Sequence, residues 1–330
     1  MSIIHRVTRR LFVFLVTVTT IGCGNPSSSP ADGAGAAVIT PIVTAPTPPA
    51  TALTLPLKTG SVRFAVIGDA GRGDQPQYQV SAQMQAYRHL FPFDFVVMVG
   101  DNVYDGGTAA DYRRKFEEPY APLLAADVQF FATIGNHDDP RQPDYTPFHM
   151  KGQRFYWFKP PSAVARLFGA DVAFFMIDTE QLTFDQRTWI DREMAASSAV
   201  WKIPVFHRPI YTSGRYGVSA RFLRRNLEPI FRKHGVAVAF SGHEHFYERT
   251  TPQGGITYFI SGGAGSLRMN DIRPSPLTAV GFDTDYHFML VEIDDHTLYF
   301  QAISRSGATI DTGRVELPRE APAADTPVRR

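Results

Sequence analysis

The feature that most constrains this chain is a set of short apolar runs, each leading through glycine or a strand end into a metal-binding side chain. Residues 62–67 end at Gly68-Asp69-Ala70-Gly71, and 95–99 end at Gly100-Asp101-Asn102-Val103-Tyr104. Residues 130–134 end at Gly135-Asn136-His137-Asp138, 203–206 end at His207, and 236–240 lead to Gly242-His243-Glu244-His245. Short apolar runs bounded in this way read as buried strands. Open α/β sheets gather their sites just past the C-terminal ends of strands. Glycine there lets the backbone turn sharply and come close to an ion or a phosphate. The five islands offer seven ligands for a pair of metal ions, and one histidine is left over. Two cations can hold both the attacking and the leaving oxygen of an in-line displacement, so the pattern points to phosphate ester hydrolysis.

Helical patterns lie between the strands. Residues 76–90 form one, before the run at 95–99. After a further strand at 173–177, Thr183-Phe184-Asp185-Gln186 fits a capping box that opens a helix carrying Trp189, Ile190 and Met194. A later helix carries Phe222, Leu223, Leu227, Ile230 and Phe231 on one stripe, and Pro229 should bend or shorten it. Strands at 256–260, 288–293 and 298–302 close the pattern. With 44% hydrophobic residues in a chain of 330, one large α/β domain at 57–317 has enough apolar surface for a substantial core.

The flanks read differently. Arg6, Arg9 and Arg10 precede a short apolar run ending in Thr20-Ile21-Gly22-Cys23, so residues 1–23 read as an export signal. The ending resembles a bacterial lipobox, with Cys23 lipidated, and Thr8-Arg9-Arg10-Leu11-Phe12 also resembles a twin-arginine signal. The other reading is a cleaved secretory signal with an incidental cysteine. Residues 24–56, rich in Pro, Ala, Ser and Thr, read as a flexible tether, and 318–330 as a disordered tail. A membrane-anchored lipoprotein in the bacterial periplasm or on the cell surface is the expectation. Cys23 is the only cysteine, so any metal in the domain must be held by oxygen and nitrogen. A net charge of +1 gives no reason to expect a nucleic-acid partner.

Each island has a plainer reading. A lone Gly-Asp is commonly a turn, Tyr104 could be a loop aromatic packed on a sheet, and Gly242-His243-Glu244-His245 could be a surface loop. If that last segment is extended, however, His243 and His245 face one pocket and Glu244 points away. A carboxylate bridging two ions brings them within about 4 Å. Imidazoles suit iron, zinc or manganese better than calcium.

On these residues the chain resembles the calcineurin-like metallophosphoesterases, and within them the purple acid phosphatases. Their motifs Gly-Asp-x-Gly, Gly-Asp-x-x-Tyr, Gly-Asn-His-(Asp/Glu), Val-x-x-His and Gly-His-x-His have counterparts at the five islands. The fourth departs from the pattern, with Pro204 three residues before His207. Gln186 with Trp189, and His245-Phe246-Tyr247-Glu248-Arg249, also look like family text. The resemblance implies an α/β metallophosphoesterase fold, with two central β-sheets packed face to face and flanked by helices. It implies one metal, Fe(3+), on Asp69, Asp101, Tyr104 and His245. It implies a second, divalent Fe, Zn or Mn, on Asp101, Asn136, His207 and His243. Gly71 stands where generic members carry a histidine, and Tyr104 stands where the purple branch places a compensating phenolate. A metal-bound hydroxide would attack a small phosphate monoester, with His137 assisting at the substrate or leaving group. Asn102 and Arg208 are further candidates for substrate contact, and Asp138 for orienting His137. In plant members, histidines in the loop after the fourth motif assist catalysis, and this chain has none between His207 and His234. His149 could enter the pocket or face solvent. A phosphodiesterase or nucleotidase on the same scaffold, or a metal-bearing binding module without catalysis, are the competing readings.

Overall fold

The computed structural model describes residues 53–161, 170–273 and 275–317. The export signal at 1–23, with Cys23, the tail at 318–330 and all but the last residues of the 24–56 tether lie outside the described residues. Contacts begin slightly upstream of the expected boundary at 57. Leu55 is buried, and the Thr54 amide donates to Gln301 Oε1.

Two sheets form the domain. The first has six strands in the order β13-β12-β11-β1-β2-β3. Its parallel part is β1 (Val62–Ile67), β2 (Phe95–Met98) and β3 (Gln129–Ala132). The antiparallel part is β11 (His287–Asp294), β12 (Thr297–Ser304) and β13 (Thr309–Glu316). The second sheet has seven strands in the order β10-β8-β9-β7-β6-β5-β4. Its parallel heart is β5 (Val172–Ile177), β6 (Trp201–Phe206), β7 (Val238–Ser241) and β9 (Thr257–Ser261). The flanking strands β4 (Tyr156–Phe158), β8 (Tyr247–Thr250) and β10 (Thr278–Phe282) are short, and their sequences carry no clear strand pattern.

The sheets meet face to face through aromatic rings. Phe64 of β1 packs edge-on against Phe174 of β5 at 5.1 Å and Phe240 of β7 at 6.1 Å. Why β5 reads as an unbroken apolar run is now clear. Val172, Phe174 and Met176 join the core between the sheets, while Ala173, Phe175 and Ile177 face a second core under the helices. That second core is closed by α4 (Phe184–Ala196), through Ile190 and Met194, and by α5 (Ala220–Lys233), through Leu223, Leu227 and Phe231. On the first sheet, α1 (Gln75–Leu90) buries Val80, Met84 and Tyr87, and Asp74 caps its start. The one-turn helices α2 (Ala109–Tyr112) and α3 (Ala121–Leu124) lie between β2 and β3.

Three local expectations are corrected. Thr183 caps α4 by accepting from the Gln186 amide, but Gln186 does not complete the box. Its side chain turns instead to the Asp178 amide and carbonyl, pinning the loop after β5. Pro229 does not shorten α5, which runs through to Lys233. Pro229 sits on the exposed face, where water can serve the carbonyl left without its partner. Phe222 is not on the buried stripe: it is 62% exposed, beside Leu223, which is buried.

Candidate metal centre

The site lies on the seam where the C-terminal ends of both sheets meet. The first sheet delivers the oxygens. Asp69 follows β1, Asp101 and Tyr104 follow β2, and Asn136 follows β3. The second sheet delivers the nitrogens, with His207 after β6 and His243 and His245 after β7. All seven predicted ligands come together.

They fall into two groups that share Asp101. In one, His245 Nε2 is 3.3 Å from Asp69 Oδ1 and 3.1 Å from the Tyr104 hydroxyl. Ligand atoms of Asp69, Asp101 and His245 all lie within 4.8 Å of one another. In the other, His207 Nε2 is 3.1 Å from Asn136 Oδ1 and 3.2 Å from His243 Nδ1. Asp101 Oδ1 reaches this group too, 3.4 Å from His207 Nε2. His207 Nδ1 lies 3.0 Å from the Val99 carbonyl, which can only accept, so this nitrogen carries the proton. In the neutral ring Nε2 is then the lone pair turned to the seam. Such a donor set, three imidazoles, two carboxylates, an amide oxygen and a phenol with no thiol, fits iron, zinc or manganese.

Backbone geometry is bent to reach this arrangement. Asp69, Asp101 and His243 have φ of 54°, 51° and 68°, in the left-handed region that side chains other than glycine rarely adopt. The segment at 242–245 is therefore not extended, as its alternation implied. A left-handed turn at His243 brings both imidazoles to the seam. Glu244 is sent the other way, onto Thr212 and the Tyr216 amide. Gly71 is obligatory for a different reason. A Cβ there would sit 2.0 Å from the Asn102 carbonyl oxygen, so no histidine fits without moving the backbone.

The protonation pattern follows from burial and charge. Burial would raise Asp69, but the His245 bond and the neighbouring imidazole charges hold it below the usual carboxylate value. For His207, burial works downward and is outweighed by Asp101 and Asp69, which raise it. Burial, then His207 and Arg208, press His243 down to about 2. Burial and the charges of Asp69 and Asp101 push the Tyr104 phenol far above its ordinary value, so a phenolate there needs a cation beside it. Burial also lifts Glu244 to about 7, and burial with Asp101 lifts Asp138 to about 7.

The residues around the ligands change several expected roles. His137 is 42% exposed at the rim, its ring 4.8 Å from that of Tyr104. Its partner is Asp105, whose Oδ1 lies 3.0 Å from Nδ1, and not Asp138. Asp138 instead accepts from the amides of Asn102, Val103 and Gly135, tying the second island to the third. Asn102 is buried, and its Nδ2 donates to the Thr133 carbonyl and to Asp138, so this end of the amide shapes the turn, while its Oδ1 has no partner among the described residues. His149 is half-buried away from the seam, with Nδ1 on the Phe130 carbonyl. Arg208 does reach the site. Its Nε donates to both Glu180 oxygens at 2.8 and 2.9 Å, and its Nη1 to His243 Nε2 at 2.9 Å.

Besides Asp105, four residues absent from the sequence reading also stand here. Arg268 Nη2 lies 3.2 Å from His245 Nε2. Arg72 lies over the Tyr104 ring at 3.6 Å. Tyr216 packs on His243 at 4.2 Å, in the loop that lacks histidines. Glu180 anchors Arg208. Asp105, next to Tyr104, and Arg72, next to Gly71, carried a local signal; Glu180, Tyr216 and Arg268 arrive by long-range folding.

Two sheets meeting at a seam of candidate metal ligands are the arrangement of the metallophosphoesterases, hydrolases of phosphate esters. A family model described as Calcineurin-like phosphoesterase matches residues 62–247, and the chain belongs to that family. Purple acid phosphatase 7 of Arabidopsis thaliana is 29% identical over 244 residues, covering 65% of this chain and 74% of that one. Two solved structures share the fold. One is the purple acid phosphatase PPD1 from yellow lupin seeds (Lupinus luteus), with TM-score 0.62, 20% identity, and 78% and 54% of the two chains covered. The other is GAP50, titled the anchor in the inner membrane complex of Plasmodium, with TM-score 0.67, 20% identity, and 80% and 90% covered.

Proposed function

We propose that the chain hydrolyses phosphate monoesters with a pair of metal ions, as an acid phosphatase. The observation that carries this reading is the convergence of seven ligands in two groups sharing Asp101. Asp69, Asp101, Tyr104 and His245 would hold Fe(3+), since a phenolate is a hard anionic ligand. Asp101, Asn136, His207 and His243 would hold a divalent Fe, Zn or Mn. When bound, such a pair supplies charge neutralisation for both reacting oxygens and an acidified water.

The protein's own groups do the rest. Asp105 fixes Nδ1 of His137, which leaves Nε2 for the substrate. From the rim His137 can donate to a phosphoryl oxygen or protonate the departing alkoxide. Arg208, held by Glu180, is placed to grip a phosphate oxygen beside His243.

GAP50, described as an anchor in the inner membrane complex of Plasmodium, shares the fold, so fold alone does not decide between an enzyme and a binding module. The intact ligand set and His137 favour the enzyme. The test is turnover of an aryl phosphate monoester and the matching diester by metal-loaded protein. Monoester hydrolysis that dominates supports the proposal. Faster diester cleavage makes it a phosphodiesterase, and two bound metals with no turnover of either make it a binding module. Export and lipid attachment at Cys23 are part of the same proposal. They are tested by membrane fractionation of the full chain and of Cys23→Ser, which should be released.

A further inference from the structure

Beside His243 the surface opens into a cavity of about 510 Å³. Its walls are the loop 179–183 after β5, the residues just after β6, and the first turn of α5. The lining is of two kinds. Toward the seam lie His243, Tyr216 and the Arg208–Glu180 pair. The lining also includes the apolar Leu182, Leu223 and Phe222, none of which is a predicted ligand.

Phe222 is the unusual member. A single exposed apolar side chain means little. This one, 62% exposed, lines the same cavity as a predicted metal ligand, His243. Nothing in the packing of α5 requires it, because Leu223, Leu227 and Phe231 supply the buried stripe. The charge of the cavity narrows what could fill it. Arg208 is the one lysine or arginine among its lining residues, and Glu180 already engages its Nε with both oxygens. Arg72 lies over the Tyr104 ring, and Arg268, which sits between His245 and the Tyr216 ring, is not among the lining residues. A second phosphate or carboxylate placed here would meet Glu180 and, among the described lining residues, would have to share Arg208 with the scissile phosphate. An apolar group would meet Phe222 and Leu182.

We propose that this cavity receives the alcohol half of the substrate, and that the chain prefers monoesters of apolar, aromatic-sized alcohols over small polar or multiply anionic ones. The proposal rests on the phosphomonoesterase reading and names its substrate class.

The test compares 2-phenylethyl phosphate with glycerol 3-phosphate. Both release alkyl alcohols of similar acidity, so the ratio of kcat/KM reports binding of the leaving group. Side-chain-sized apolar contacts give about 10- to 100-fold discrimination. That ratio is expected in favour of the phenylethyl ester, and Phe222→Ser should collapse it. Phe184→Ser, which removes an exposed phenylalanine outside this cavity, should leave the ratio intact. Calorimetry with 2-phenylethylphosphonate, which is not hydrolysed, gives a second readout. Its binding should weaken in Phe222→Ser by a similar factor. A ratio near one, a preference that survives Phe222→Ser, or equal phosphonate binding by wild type and variant would each overturn the proposal. Phosphonate binding that depends on Phe222 without turnover of either ester would uphold the cavity and overturn the phosphatase reading alone.

Discussion

The same strands run through two interiors that are equally dry and chemically opposite. Between the sheets, Phe64, Phe95, Phe158 and Phe174 pack ring on ring at 5.0–6.0 Å. A few residues further on, Asp69, Asp101 and His207 are just as buried, at 1% exposure or less. Three of the ligands there adopt left-handed backbone, at a cost of about 1–3 kcal/mol each. Unscreened carboxylates and imidazoles add further cost until something neutralises them. The comparison teaches where stability and chemistry reside. The aromatic core supplies enough favourable burial for the seam to be held in a conformation it would not choose alone.

Substitutions at the two regions should therefore separate the two properties. The largest effect belongs to Asp101→Ala. It removes the one ligand common to both groups, so turnover should fall by about a thousandfold or more. Metal analysis of the same sample should show ions lost. Its counterpart in the core is Phe174→Ala, which deletes a ring touching Phe64, Phe95 and Phe158. Urea unfolding should show a loss of about 3–5 kcal/mol, while each chain still folded keeps its metal. If the core variant lost metal as readily as Asp101→Ala, the two regions would not be separable.

His137→Ala comes next. Turnover should fall by about 10²–10⁴-fold with bound metal unchanged. Asp105→Asn should follow with a smaller loss, about tenfold, since one exposed hydrogen bond orients the ring. Equal losses in the two variants would make Asp105 more than a positioning residue. The smallest effect lies far from the seam. Asp191 is held below its ordinary value by Lys233, then by His234. A lowered carboxyl stabilises the fold above its unfolded value, and that share is lost as pH falls through the folded one. Asp191→Asn should cost about 0.5 kcal/mol at pH 7, because the pair is exposed and screened. The gap between variant and wild type should close as pH drops below about 3.9.

Much of this arrangement was legible in the chain. Continuous apolar runs marked the parallel strands because both their faces are covered, one by the other sheet and one by helices. The candidate ligands, which the fold brings together, were legible because each follows such a run. What escaped depends on backbone or tertiary detail that periodicity does not carry. Alternation in Gly242-His243-Glu244-His245 led to the right outcome by the wrong path, since φ at His243 is positive. Asp138 looked like the partner of His137 by adjacency, yet its acceptor capacity goes to three backbone amides. Phe222 matched the spacing of the buried stripe but falls just beyond its edge. Arg268 and Tyr216 sit in loops without a motif, and only the folded chain brings them to the histidines.

Metal analysis of aerobically purified protein, with its visible absorption spectrum, tests the central claim most directly. Two metal ions per chain, at least one of them iron, are expected. A visible charge-transfer band should accompany them and disappear in Tyr104→Phe while both ions remain. A protein holding fewer than two ions, or holding two with the band unchanged in Tyr104→Phe, would contradict the account.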